Sequence, residues 1–262
     1  MNGKHRIKSA ADIDQARIAA ALAADVLTMI EPHIKAGVST AWLDQLCHDF
    51  IVNEQQAIAA NVGYGGFPKT VCSSVNSVVC HGIPRDDEIL RDGDIINIDV
   101  AVIKDGWFGD TSRMYYVGQP TKQAVKLVDT TYSAMWAGIR AVRPGATLGD
   151  VGHAIQSVAE KAGFSVVRDY CGHGIGMKYH DEPEVRHYGK PGTGVVLKPG
   201  MLFTIEPMIN AGRAATVELD DGWTVETRDG SLSAQWEHMV TVTATGYEVL
   251  TLSPAEKAAG KK

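Results

Sequence analysis

The stretch DIINIDVAVIKDGWFGD spans residues 94–110, and its apolar, mostly β-branched run predicts a buried strand. Asp99 interrupts that run and Asp110 closes the stretch. A buried carboxylate without a counter-charge is costly and takes up a proton unless a cation neutralises it. Asp105-Gly106 is a two-residue hairpin signal. With that turn, Lys104 faces Trp107, Asp99 faces Ser112 and Asp110 faces Ala101. The two aspartates then share one face of the sheet as diagonal neighbours, an arrangement that calls for a cation between them.

The C-terminal half offers a matching pair. Glu206 sits in the apolar run MLFTIEPMI and Glu237 in SAQWEHMVTVT, just ahead of a β-branched strand. CGHGIGMKYHDEP (171–183) adds His173 between glycines that allow close backbone approach, then His180. VVCHGIP (78–84) adds His81 at the end of an apolar run. Four carboxylates converging with one imidazole suit two divalent ions, and the oxygen-rich donor set favours Mn²⁺, Fe²⁺ or Co²⁺ over a thiolate zinc site. His5, His33, His48, His153, His187 and His238 lack such settings and read as structural.

The elements that must position these groups repeat along the chain. Ser9 and Asp12 open an Ala-rich amphipathic helix expected to run to about Ile34, and a second helix fits 39–57. Strand-like segments follow from about 60 to 117, then helices at roughly 120–142 and 147–162, then strands from about 164 to 252. IKAGVSTAWLDQLCHDFI (34–51) aligns with VRPGATLGDVGHAIQSVA (142–159) at an offset of 108, and LRDGDIINIDV (90–100) with LKPGMLFTIEP (197–207) at an offset of 107. The second alignment sets Asp99 against Glu206. The nearly equal offsets predict an internal duplication: two halves of about 110 residues closed into one domain, with the two carboxylate strands meeting at its centre.

Bulk properties agree with a compact enzyme. The 262 residues carry a net charge of −6, which gives no electrostatic footprint for nucleic acid. The basic start MNGKHRIKSA is followed by no apolar signal core, and no run reaches the length of a membrane span. Cys47, Cys72, Cys80 and Cys171 form no C-x-x-C pair, which predicts free thiols and a cytoplasmic setting.

VNSVVCHGIP, GDIINIDVAVIKDGWFGDTS, YCGHGIG, FTIEPM and SLSAQWEH together resemble the type I methionine aminopeptidases, over about residues 5–252. The resemblance implies an α+β pita-bread fold: two pseudo-symmetric halves with a central curved antiparallel sheet covered by helices. It implies metal ligands Asp99, Asp110, His173, Glu206 and Glu237, with Asp110 and Glu237 bridging two ions. It also implies a metal-activated water as nucleophile, Glu206 as proton carrier, His180 at the carbonyl oxygen and His81 at the scissile amide. The methionine pocket carries over as Tyr64, Phe67, Cys72, Tyr179 and Trp223, and a monovalent cation, Na⁺ or K⁺, as a ligand of Asn76, Val78 and Ser233. Substrates would be nascent chains whose second residue is small, cut by a monomer.

Two departures from the family pattern stand out. Asn61 occupies a position where the family often has Cys, so a polar amide at the pocket edge needs a partner. The loop at 210–230 sets Arg213 and Arg228 against Glu218, Asp220, Asp221, Glu226 and Asp229, which predicts weak, salt-sensitive ribosome association at best. The competing readings are a proline-specific relative sharing the metal set, which usually carries a sizeable extra N-terminal domain, and a non-catalytic peptide- or ribosome-binding module, which would lose ligands that this chain keeps.

Overall fold

The structure is a computed structural model that describes residues 7–261; His5 and the basic N-terminal residues before Ile7 lie outside it. Helix α1 (Ala10–Ile30) starts at Ser9, whose hydroxyl accepts from the Asp12 amide while the Asp12 carboxylate accepts from the Ser9 amide at 2.8 Å. Its α-helical part ends at Ile30, short of the expected Ile34. Pro32 follows and contributes no amide N–H, so the chain tightens into a 3₁₀ turn over Glu31–His33. Helix α2 (Thr40–Asp49) also stops short of expectation and unwinds into a π-helical turn over Phe50–Glu54. Helices α3 (Lys122–Ala141) and α4 (Leu148–Lys161) lie where the sequence places them, and a short α5 (Pro254–Ala258) forms in the tail.

Every strand pairing among the described residues is antiparallel. The central hairpin joins strands Ile95–Lys104 and Trp107–Tyr116 in the expected register: Lys104 opposite Trp107, Ala101 opposite Asp110, Asp99 opposite Ser112. Asp105 and Gly106 both have positive φ, at 50° and 82°, as a primed two-residue turn requires. Strand Val71–Val75 pairs on the other edge and sets Cys72 opposite Asp99.

Helix α1 covers this hairpin through Ala16, Ala19, Ala20 and Ala23, all fully buried. Small side chains let the backbones approach so closely that a Cβ at Gly109 would lie 2.1 Å from the Ala19 carbonyl oxygen. The helix backbone therefore fixes the position of the residue next to Asp110. Ile96, Ile98, Val100 and Tyr115 pack with Leu27, Ile30 and Leu43 into one core; α3 and α4 pack Trp136, Ile139 and Ile155 with Phe203 and Val240 into another. Each large aliphatic side chain so buried contributes about 1.5–3 kcal/mol.

Hydrogen bonds recur between the halves at the sequence offsets. Gly37 N donates to Leu90 O at 2.8 Å, and Gly145 N to Leu197 O at 3.0 Å; Leu90 N donates to Val38 O, and Leu197 N to Ala146 O. Isolated bridges join Ser39 to Ile89 and Thr147 to Val196. Ser39 and Thr147 each cap a helix, α2 and α4 respectively.

Candidate active site

Asp99 and Asp110 reach one face of the central hairpin by the period-two alternation of paired strands. The other two carboxylates lie in breaks between strands rather than within them. Glu206 follows Leu202–Ile205 and precedes Pro207, whose missing N–H interrupts the ladder before Met208–Asn210. Glu237 follows Ser233–Gln235 and precedes His238–Val242. Its amide donates to Ser112 O at 3.2 Å and its carbonyl accepts from Thr111 Oγ1 at 2.7 Å, which lays this segment directly on the Asp110 strand.

His173 completes the set from the short strand Gly172–Gly174. A Cβ at Gly174 would lie 2.1 Å from Glu182 O, so only glycine fits there. His173 Nδ1 lies 3.1 Å from Gly174 O, and a carbonyl only accepts, so the proton sits on Nδ1. Nε2 then presents a lone pair to Asp110 Oδ2 at 3.4 Å and Glu206 Oε1 at 3.6 Å. Burial lowers the imidazole pKa to about 4, which keeps the ring neutral at pH 7.

A lone pair aimed at two carboxylates is repulsive unless a cation stands among them. Three further observations fit that cation. Asp99 Oδ1, Asp110 Oδ1 and Glu237 Oε1 are buried with no hydrogen-bond partner. Ligand atoms of Asp110, His173 and Glu237 all lie within 4.8 Å of one another. Burial raises the pKa of all four carboxylates, and the negative charge of Asp110 raises those of Asp99, Glu206 and Glu237 further. A divalent metal relieves all of these at once.

A cavity of about 430 Å³ reaches Asp99, His173 and Glu206, and its lining also includes His81, His180 and Gln235. A larger groove of about 810 Å³ between α3 and α4 has lysines and Asp129 but no metal-ligating set, so volume alone does not mark the site. His81 has φ of 57°, a left-handed backbone that a bulky residue rarely adopts, and its ring meets Tyr170 and Trp223 edge-on at 5.6 and 6.2 Å. Burial, then the neighbouring His180, lowers its pKa to about 4. His180 lies against His173 with ring centroids 4.3 Å apart, and its Nδ1 is 2.6 Å from the Tyr64 hydroxyl. Burial, then His173 and Lys178, lower its pKa to about 4.

The pocket aromatics converge beside these histidines. Phe67 meets Trp223 edge-on at 5.2 Å, and Tyr64 meets Tyr179 at 4.8 Å. Tyr179 is sandwiched between Phe108 and His180 at 5.1 and 4.3 Å. Asn61 finds its partners here: its Oδ1 accepts from the Tyr179 hydroxyl at 2.8 Å and its Nδ2 donates to Thr70 O at 3.1 Å. At the Asn76 turn, the Ser233 amide donates to Asn76 O at 2.8 Å, and Val78 begins the next strand.

Four supporting residues escape a motif reading. Thr204 Oγ1 donates to Glu206 Oε1 at 2.6 Å and accepts from the His173 amide at 3.0 Å. Gln235 Nε2 donates to Glu206 Oε2 at 3.3 Å, and Asn97 Nδ2 to Gln235 O at 2.8 Å. Thr204 and Gln235 each lie two residues before an acidic site residue, which is the one sequence signal they carry. The fourth, His187, accepts the Glu206 amide hydrogen.

The sequence profile of metallopeptidase family M24 matches residues 14–244 of the chain. The methionine aminopeptidase of Escherichia coli (strain K12) is 57% identical over 246 residues, covering 94% of this chain and 93% of that one. The crystal structure of methionine aminopeptidase from Rickettsia prowazekii superposes with a TM-score of 0.93 at 56% identity, covering 94% of this chain and 99% of that one. The prolidase from Pyrococcus furiosus, at 20% identity, shares the fold with a TM-score of 0.75, over 95% of this chain and 66% of that one. The architecture is the pita-bread fold common to these proteins.

Proposed function

The chain belongs to metallopeptidase family M24, and on that footing we propose that it removes the N-terminal methionine from peptides and nascent proteins whose second residue is small. The observation that carries this reading is the convergence on His173 of Asp110 and Glu237, with ligand atoms within 4.8 Å of one another, and of Asp99 and Glu206, which line one cavity with it beside an aromatic pocket. Asp99, Asp110, His173, Glu206 and Glu237 would hold two divalent ions, Mn²⁺, Fe²⁺ or Co²⁺. What the ions supply is charge stabilisation at the scissile carbonyl and a water made nucleophilic at neutral pH.

Glu206, whose pKa is raised by burial and by Asp110, takes the proton of the attacking water and passes it to the leaving amine. The Tyr64 hydroxyl, a stronger acid than a neutral imidazole, donates to His180 Nδ1. The remaining proton lies on Nε2, where it stabilises the carbonyl oxygen as negative charge grows. His81, neutral and half-buried at the cavity wall, holds the scissile amide or the departing amine. Tyr64, Phe67, Cys72, Tyr179 and Trp223 take the methionine side chain, whose polarisable thioether suits an aromatic wall.

Tyr64→Phe keeps the ring and removes the hydroxyl. It lowers kcat by about 2- to 10-fold, the worth of one hydrogen bond of about 0.5–1.5 kcal/mol, and leaves KM nearly unchanged. A change confined to KM would assign Tyr64 to the pocket alone.

The recurring hydrogen bonds at offsets of 107–108 support a single catalytic domain built by internal duplication. By the family resemblance, Asn76, Val78 and Ser233 would hold a Na⁺ or K⁺ ion. The protein acts as a monomer in the cytoplasm. The acidic balance of residues 210–230 makes ribosome association weak; co-sedimentation that survives high salt would contradict this.

The deciding experiment compares Met-Ala-Ser, Leu-Ala-Ser and Xaa-Pro peptides, using protein chelated and then reloaded with Mn²⁺ or Co²⁺. Metal-dependent preference for Met-Ala-Ser is the expected result. Preference for Xaa-Pro overturns the pocket assignment, and metal binding without turnover of any peptide overturns the enzymatic reading.

A further inference from the structure

His187 is 0% exposed and lies just beyond strand Asp181–Val185, in a stretch of chain that packs on α4: the Tyr188 and Arg186 carbonyl oxygens lie 2.5 and 2.6 Å from where a Gly152 Cβ would be. Its Nε2 is 3.1 Å from the Glu206 amide nitrogen. A backbone amide only donates, so Nε2 carries the lone pair and the proton lies on Nδ1. Nδ1 is buried and has no hydrogen-bond partner among the described residues. The ring thus leaves one donor unspent while its other nitrogen serves the Glu206 backbone.

That backbone needs an acceptor. Strand pairing with His238–Val242 ends at Ile205 opposite His238. Pro207 has no amide to continue a ladder. The Glu206 amide therefore falls in a gap between two strands, with no strand partner, and the imidazole takes the place of the missing carbonyl.

We infer that His187 is a positioning residue for the reaction: a neutral imidazole, fixed as the Nδ1–H tautomer, that holds the Glu206 backbone so that its carboxylate reaches Thr204 and Gln235 and faces Asp110 and His173. The inference rests on the role proposed for Glu206. Its substance is an acceptor at a stated atom, so a side chain that supplies an acceptor at the same reach restores it and an apolar one of similar bulk does not.

The test uses His187→Gln and His187→Leu in the full chain. Long-range ¹H–¹⁵N correlation spectra of the wild-type protein without metal give the tautomer directly. Calorimetric titration with Mn²⁺ gives affinity, Met-Ala-Ser hydrolysis gives kcat and KM, and thermal melts report folding. The expected wild-type tautomer is Nδ1–H. His187→Leu weakens Mn²⁺ binding and lowers kcat by about 10- to 100-fold, the range for groups that orient ligands, with KM nearly unchanged, while His187→Gln stays within about threefold of wild type on both measures. An Nε2–H tautomer, a folded Leu variant with wild-type kcat and affinity, or a Gln variant that falls as far as Leu overturns the inference. Should the Leu variant not fold, the wild-type tautomer and the Gln variant decide. Wild-type protein inactive on Met-Ala-Ser would count against the proposed function, while the tautomer and Mn²⁺ affinity would still read the placement of Glu206.

Discussion

Glu206→Gln lowers kcat for Met-Ala-Ser by about 10²–10⁴-fold, the usual worth of a proton-transferring side chain, while the chelated variant melts no lower than chelated wild type. The amide keeps the shape of the carboxylate and its Oε1 still accepts from the Thr204 hydroxyl. It loses the negative charge and the ability to take a proton. In the absence of metal that charge is a burden, since burial and Asp110 both oppose ionisation of Glu206. The variant therefore separates two roles that a general loss of structure would merge: turnover falls and metal-free stability holds or rises. Turnover within tenfold of wild type would remove Glu206 from proton transfer.

Removing the metal lowers the melting temperature, and restoring Mn²⁺ or Co²⁺ recovers it. At free metal 100-fold above its Kd the linkage contribution is about 2.7 kcal/mol, or roughly 5–10 °C for a chain of this size. The pH dependence adds a sign. The four carboxylates have folded pKa values raised above 3.8 and 4.5, with Asp110 raised to about 8. The metal-free folded state then binds more protons than the unfolded chain, so its stability declines as pH climbs from the unfolded values through the folded ones. His81, His173, His180 and His187 have lowered folded values, to about 4, 4, 4 and 3. They act oppositely, adding stability as pH rises to the unfolded value near 6.5. Above pH 7 the histidine contribution is complete and the carboxylate slope remains, joined near the unfolded thiol value by Cys47, Cys72 and Cys80, which burial raises and which act with the same sign whether or not metal is bound. Chelated protein melts lower at pH 8.5 than at pH 7, and metal-loaded protein shows a flatter profile. Melts with and without chelator that coincide would sink the metal assignment.

The carboxylate face was legible because it rests on local rules. Asp105-Gly106 specifies the turn, the turn specifies the register, and a period of two then places Asp99 beside Asp110. The offset of 107 carries the same argument to Glu206. What stayed hidden depends on contacts between residues far apart in sequence. Tyr64 and His180 are 116 residues apart, Asn61 and Tyr179 are 118, and Asn97 and Gln235 are 138. No periodicity links such pairs. His187 looked structural because its neighbours in sequence carry no metal motif, and its partner is a backbone amide, which has no signature in a string of side chains. Helix ends were misplaced for a related reason: apolar spacing continues past Ile30 and Asp49, but Pro32 and the π-helical turn at Phe50 end the regular ladder.

The bonds that tie Glu237 to Ser112 and Thr111, and Gln235 to Asn97, also join residues that leave the ribosome at very different times. Synthesis delivers Asp99 and Asp110 long before Glu206, and Glu237 last of all. A growing chain that has passed residue 116 but not yet reached residue 173 contains the whole Asp105-Gly106 hairpin and two neighbouring acids, without His173, Glu206 or Glu237. Those acids stay hydrated or protonated until the second half arrives, because nothing else in the first half answers their charge. The full set of acids therefore comes together only once the segments carrying Glu206 and Glu237 have joined the hairpin.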